Sequence, residues 1–158
     1  MKIYLASPLG FADSTRPFME QLAARLRQHA EVLNPWDQTE LGEQYAAVNH
    51  LPTYDERIAR WQEINTQIGA INAEMIREAD TIVAVLDGVD VDSGTASELG
   101  YGYGIGKRLY GLRTDIRQSG ENEGGIVNLQ VRYFIDHSGG TVARSVDELI
   151  GLMFGDNN

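Results

Sequence analysis

Residues 92–106, DSGTASELGYGYGIG, decide the reading of this chain. They follow a short apolar run, TIVAVL at residues 81–86, rich in β-branched residues and without polar alternation. Such a run fits a parallel strand covered on both faces. A buried strand that enters a Gly-rich turn and then a helix brings backbone N–H groups and acidic side chains to the carboxyl edge of a sheet. Open α/β folds form their ligand crevice there. Asp92 and Glu98 both lie in this stretch. With a helix starting near Thr95, Glu98 falls in the first turn, directed back toward the crevice. A first-turn acid also complements the helix dipole, so position alone leaves both roles open. The glycines at 100, 102, 104 and 106 lower helix propensity, which predicts close packing of this helix's backbone against a neighbour.

Working outward toward the N-terminus, KIYLA at residues 2–6 reads as the first strand, stopped by Ser7, Pro8 and Gly10. Phe18, Leu22 and Leu26 recur every fourth position and predict an amphipathic helix over residues 14–29. A short strand over residues 31–34 ends at Pro35. Residues 36–55 show no clear period; with Trp36, Asp37, Gln44, Tyr45 and Tyr54 they read as a functional loop over a pocket. Ile58, Trp61, Ile64, Ile68, Ile71 and Met75 then mark a long helix over residues 55–79, its stripe expected in the core or at a subunit interface. Toward the C-terminus the helix after the central strand runs to Lys107. Residues 108–113 form a strand, 114–127 a polar loop, 128–134 a short helix, 141–143 a fifth strand and 146–154 a last helix. Strands alternating with helices predict an α/β fold. The expectation is a single-domain (residues 1–158), doubly wound, flavodoxin-like five-stranded parallel sheet with helices on both faces.

Composition bounds the function. The chain has 158 residues, enough for one domain with a real core. A net charge of −10 argues against nucleic-acid or anionic-membrane partners, which call for clustered Lys and Arg, and disfavours polyanionic ligands. The absence of cysteine excludes disulfides and thiolate chemistry. Pro8 and Gly10 interrupt the first apolar run before a signal-peptide core could form. No stretch approaches the roughly 20 apolar residues of a membrane span. The expectation is a soluble, cytoplasmic protein.

Several motifs fail. The glycines at 100–106 miss the dinucleotide pattern, because its third glycine falls on Ile105 or Lys107, and Tyr101 occupies the first glycine of a phosphate loop. Asp87, Asp90 and Asp92 lack the glycine and closing glutamate of a calcium loop, and His29, His50 and His137 have no metal-ligand spacing. No metal and no cofactor are expected. What remains is carboxylate chemistry on an acetal-like carbon, as retaining glycosidases perform it. That chemistry needs a positioned carboxylate, a group to orient it, hydrogen-bonding partners for sugar hydroxyls and an aromatic slot for the leaving group. Tyr4, Phe11, Asp92, Glu98 and Asn128 could meet for this purpose at one sheet edge.

At these residues the chain resembles the nucleoside 2-deoxyribosyltransferase family. The resemblance rests on IYLASPLGF at residues 3–11, DSGTASELGY at 92–101 and NLQ at 128–130. It implies that Glu98 is the nucleophile attacking C1′ of a 2′-deoxynucleoside, that Tyr4 orients it, and that Asp92 stands near sugar and base. It also implies that Asn128 reaches a neighbouring subunit's 5′-hydroxyl, although an asparagine there equally suits the cap of the helix beginning at Leu129. Ser7, Phe11, Asn72 and Gly94 complete the expected substrate-binding set. One position departs from the family: many members carry an aspartate eight residues before the aspartate that opens the central strand. Here that opening residue is Asp80, and eight before it stands Asn72. An amide cannot titrate, so Asn72 would bind the base without protonating it. The resemblance thus implies transfer of a 2-deoxyribosyl group between bases by double displacement, with slow hydrolysis as a side reaction. The partners would be deoxynucleosides and free nucleobases, and the protein a homo-oligomer, at least a dimer, with shared active sites. Two alternatives are a 2′-deoxynucleoside 5′-monophosphate N-hydrolase and a non-catalytic nucleotide-binding module.

Overall fold

The computed structural model describes residues 1–155, apart from the side chains of residues 39–41; the last three residues of the expected domain lie outside the described residues. In chain order the elements are β1 (Lys2–Ala6), α1 (Arg16–Arg27), β2 (Glu31–Leu33), α2 (Thr39–Val48), α3 (Tyr54–Glu78) and β3 (Thr81–Val85). They continue with α4 (Ser93–Gly104), β4 (Arg108–Leu112), α5 (Leu129–His137), β5 (Val142–Ala143) and α6 (Val146–Phe154). The five strands pair in parallel in the order β2-β1-β3-β4-β5. This is the expected doubly wound sheet.

The period of two along each strand sends alternate side chains to opposite faces. Tyr4, Ala6, Ile82, Ala84, Leu86 and Leu109 share one face with Ile76 of α3, Leu99 of α4, and Val131 and Ile135 of α5. Ile3, Leu5, Val83, Val85 and Leu112 share the other with Met19, Leu22 and Leu26 of α1 and Leu149 of α6. Each fully buried aliphatic side chain contributes about 1.5–3 kcal/mol, so the sheet is held from both sides. Helix starts are marked locally: Thr53 and Glu56 form a reciprocal capping box on α3, and Ser145 accepts from the Glu148 N–H to start α6.

The order reverses between β1 and β3, so the loops leaving their carboxyl ends diverge and leave a crevice. A 3₁₀ turn over Pro8–Phe11 follows β1, and residues 86–92 lead from β3 into α4.

Three expectations need correction. The supposed loop over residues 36–55 contains a helix, α2. Helix α4 begins at Ser93 rather than near Thr95, because Asp92 caps it, so Glu98 stands in the second turn, beyond the reach of simple dipole complementation. The helix ends at Gly104, short of Lys107. Close packing of its glycines is real at Gly102, where an added Cβ would come 2.2 Å from Ile82 Cδ1, whereas Gly104 faces open space. Among the described residues, no helix is long and apolar enough to cross a membrane.

Candidate active site

Tyr4 is completely buried, on the sheet face that carries α4. Its hydroxyl donates to Glu98 Oε1 at 2.6 Å. From α3, Asn72 Nδ2 donates to the same oxygen at 3.4 Å. Both donors act on Oε1, and among the described residues Oε2 accepts no hydrogen bond. Asp92 Oδ2 accepts from the Thr95 N–H at 2.9 Å and from Thr95 Oγ1 at 3.2 Å, which starts α4 and holds the Asp92 carboxylate beside Glu98. Burial pushes the Glu98 pKa above the ordinary carboxylate range and the negative charge of Asp92 adds to this, while the Tyr4 and Asn72 donors pull it back. Burial, reinforced by the charge of Glu98, drives the Tyr4 hydroxyl far up, so Tyr4 is a neutral donor at any working pH.

These groups border a cleft of about 760 Å³, a size suited to a small organic ligand. Ser7 and Phe11 come from the cap and the end of the 3₁₀ turn after β1, Trp36 and Gln38 from the turn after β2, and Tyr45 from α2. Trp61, Asn65, Ile68 and Asn72 project from α3, and Asp92, Ser93, Gly94, Thr95 and Glu98 from the start of α4. Two aromatic pairs furnish it: Phe11 meets Trp36 edge-to-face at 4.6 Å, and Tyr45 meets Trp61 at 5.4 Å. The indole of Trp36 is fixed, since its Nε1–H donates to the Ser7 carbonyl at 2.8 Å and its ring lies on Gly10. A Cβ at Gly10 would stand 2.1 Å from that ring, so only glycine fits beneath it. No Lys, Arg or His lines the cleft among the described residues, nor do those residues include a group of three or more His, Asp or Glu side chains arranged to hold a metal ion.

The family model described as Nucleoside 2-deoxyribosyltransferase matches residues 3–130. The chain belongs to this family. All the candidate site residues fall inside the matched region. Among solved structures, a conserved protein from Enterococcus faecalis is 26% identical with a TM-score of 0.69, the match covering 96% of each chain. A 2-deoxyribosyltransferase from Bacillus psychrosaccharolyticus is 23% identical with a TM-score of 0.61, over 98% of this chain and 93% of that one. The CMP N-glycosidase of Clostridium botulinum is 15% identical with a TM-score of 0.51, over 95% and 96%. At these identities the last two share the fold. No curated protein matches the sequence.

Ser7, Phe11, Asn72, Asp92, Gly94 and Glu98 line the cleft, and Tyr4 lies behind it, in contact through Glu98. Asn128 is not among the lining residues. Its Oδ1 accepts from the N–H groups of Gln130 and Val131 at 3.0 and 3.2 Å, and its Nδ2 donates to Glu121 at 2.6 Å. Within this chain, then, Asn128 is the cap of α5. The sequence reading assigned the α3 stripe to core or interface, yet Trp61 and Ile68 from that stripe wall the cleft, together with Asn65. A signal for this was present: residues 61, 65, 68 and 72 repeat at steps of four, three and four, one face of a helix ending in Asn72.

Proposed function

We propose that the protein transfers the 2-deoxyribosyl group of a 2′-deoxynucleoside to another nucleobase, with Glu98 as the covalent nucleophile. The observation that carries this reading is the Glu98 carboxylate itself: oriented through Oε1 by the buried Tyr4 hydroxyl, with Oε2 unengaged at the cleft wall. In the first step Oε2 forms a bond to C1′ as the C1′–N bond breaks, and the electron pair leaves with the base nitrogen, which takes a proton from solvent. The transition state resembles an oxocarbenium ion, more accessible in a sugar without a 2′-hydroxyl. In the second step a nitrogen of the incoming base attacks C1′ from the vacated side. The C1′–Oε2 bond breaks, its pair returns to Glu98, and the N–H proton of the acceptor goes to solvent. Water attacking the same ester gives slow hydrolysis. Phe11, Trp36, Tyr45 and Trp61 offer flat apolar surfaces to the departing and arriving bases.

The lack of a cationic side chain among the described lining residues supports a neutral nucleoside over a 5′-monophosphate as substrate, since a phosphate dianion needs positive partners. The reading includes a homo-oligomer of at least two chains, in which Asn128 meets the 5′-hydroxyl at a neighbouring site.

The test is direct. Quenching the enzyme with a deoxynucleoside alone should leave one deoxyribosyl group on the peptide containing Glu98, seen by mass spectrometry. Glu98→Gln should fold, form no adduct and lose exchange and hydrolysis by several orders of magnitude. Near-normal exchange by Glu98→Gln would end the covalent proposal.

A further inference from the structure

We infer that Asn72 is a positioning residue for the Glu98 carboxylate and not a reader of the base. The inference rests on the proposed role of Glu98 and goes beyond it by assigning the amide that reaches the same carboxylate from α3. Asn72 Nδ2 and the Tyr4 hydroxyl converge on one oxygen, Glu98 Oε1, from opposite elements, α3 and β1. Two donors on one oxygen restrict how the carboxylate can turn, and they leave the other oxygen without a hydrogen bond among the described residues in a side chain that lines the cleft. The Tyr4 bond is short, and the Asn72 bond is long at 3.4 Å. Contacts of this kind commonly tighten once a substrate is bound.

The residue type fits this role. An amide donates at any pH and carries no charge. The groups facing Glu98 are Tyr4 from β1, Asp92 from the start of α4 and Asn72 from α3, of which Asp92 is the charged one. An aspartate at position 72 would put a second carboxylate against Oε1, where a like charge penalises ionisation of the nucleophile. One N–H of Asn72 is turned to Glu98, and the aromatic pairs supply the flat surfaces for the base. The aglycone is thus gripped by stacking, and its proton comes from solvent. The substrates this favours are nucleosides whose base departs without a protein acid.

Two variants and two readouts separate positioning from base reading. Asn72→Leu removes the donor at similar volume, and Asn72→Asp replaces it with a charge; both sit on a cleft-facing helix position that carries little packing. The Glu98 carboxyl is titrated by carbon-13 NMR in the wild type and both variants, and kcat/KM for deoxynucleoside cleavage is measured against pH with several different bases. Positioning predicts that the Glu98 titration and the acid limb move upward together. The shift should be about one to three pH units in Asn72→Asp and smaller in Asn72→Leu, and it should be the same for every base. An unchanged Glu98 titration, or KM changes that differ from base to base with a stationary acid limb, would overturn the inference. A wild type that exchanges no bases would refute the proposed reaction instead, and the NMR titration would still decide the contact.

Discussion

Removing the Tyr4 hydroxyl isolates the contact on which the proposed chemistry depends. Tyr4→Phe keeps a ring that is completely buried between the sheet and α4, so the fold should lose little stability. What disappears is an O–H···O⁻ bond of 2.6 Å to a half-buried carboxylate. Bonds to charged groups in such places contribute about 1.5–3 kcal/mol. If most of that holds Glu98 in its attacking geometry, kcat/KM should fall by roughly 10- to 150-fold, at 1.4 kcal/mol per tenfold. A second effect follows from the pKa. In the proposed reaction the Glu98 carboxylate attacks ionised, so activity should decline as pH falls through the Glu98 pKa. Burial already sets that limb above the ordinary glutamate range, and the Tyr4 bond opposes burial. Its loss should therefore move the acid limb further up, while the drop on the high-pH plateau reports orientation alone. Rates of base exchange across the acid and neutral range, with thermal unfolding as the stability control, give both numbers. An unchanged plateau with an unmoved acid limb would mean that Tyr4 is a core residue whose hydroxyl has merely found an acceptor.

Glu98→Gln should be more thermally stable than wild type in mildly alkaline buffer and nearly equal in acid. The folded-state pKa of Glu98 is raised, so its contribution to stability is present below the unfolded pKa and lost as pH rises through the folded one; no divergence in Tm with pH would contradict this. Gly10→Ala should unseat Trp36, whose ring would meet the new Cβ at 2.1 Å. KM for the acceptor base should rise by roughly 5- to 150-fold, the equivalent of about 1–3 kcal/mol of lost stacking, with adduct formation on Glu98 retained; an unchanged KM would remove Trp36 from the base site. Ribonucleosides should be poor substrates, because a 2′-hydroxyl opposes the cationic transition state, and comparable rates for inosine and 2′-deoxyinosine would refute the sugar assignment. Mixing inactive Glu98→Ala subunits with Asn128→Ala subunits should restore activity in hybrids whose pockets recover both residues. If subunits exchange and no activity returns, the Asn128 assignment fails and its capping of α5 is its whole role.

The sheet was legible because strands buried on both faces are nearly pure apolar runs, as at residues 81–86 and 2–6, punctuated by Pro and Gly. Helix α2 was not, because residues 39–48 lack an amphipathic period and the helix is held by tertiary contacts, with Val48 fully buried, Tyr45 on Trp61 and Gln44 accepting from Arg60. The start of α4 was misplaced by two residues because Ser93 and Gly94 look like loop; the cap was Asp92, read only as a site residue. Glu98 and Asp92 could be picked out from the turn. Tyr4 could not be paired with Glu98 by any local rule, since the two are 94 residues apart and meet only once β1 and α4 pack. The cleft wall on α3 illustrates a further limit: helical spacing identifies a face but not whether core, partner or ligand covers it.

The electrostatics of the cleft bind these features together. Two carboxylates, Asp92 and Glu98, share it with no cationic lining residue among those described, in a chain of net charge −10. Burial and the neighbouring acid make a negative charge on Glu98 unfavourable in the resting site, which is the physical meaning of its raised pKa. The same surroundings favour whatever neutralises that charge. A deoxyribosyl ring gaining oxocarbenium character does so, and its stabilisation grows as the reaction proceeds, in a site where fixed charges act through a low dielectric. A substrate bearing a 5′-phosphate would do the reverse, adding negative charge to a pocket that already resists it. The Tyr4 and Asn72 donors oppose that resistance, and both are directed at one oxygen, which leaves the other for the proposed attack. Burial, one oriented carboxylate and a neutral sugar thus form a single requirement, and changing any one of them should be felt through the other two.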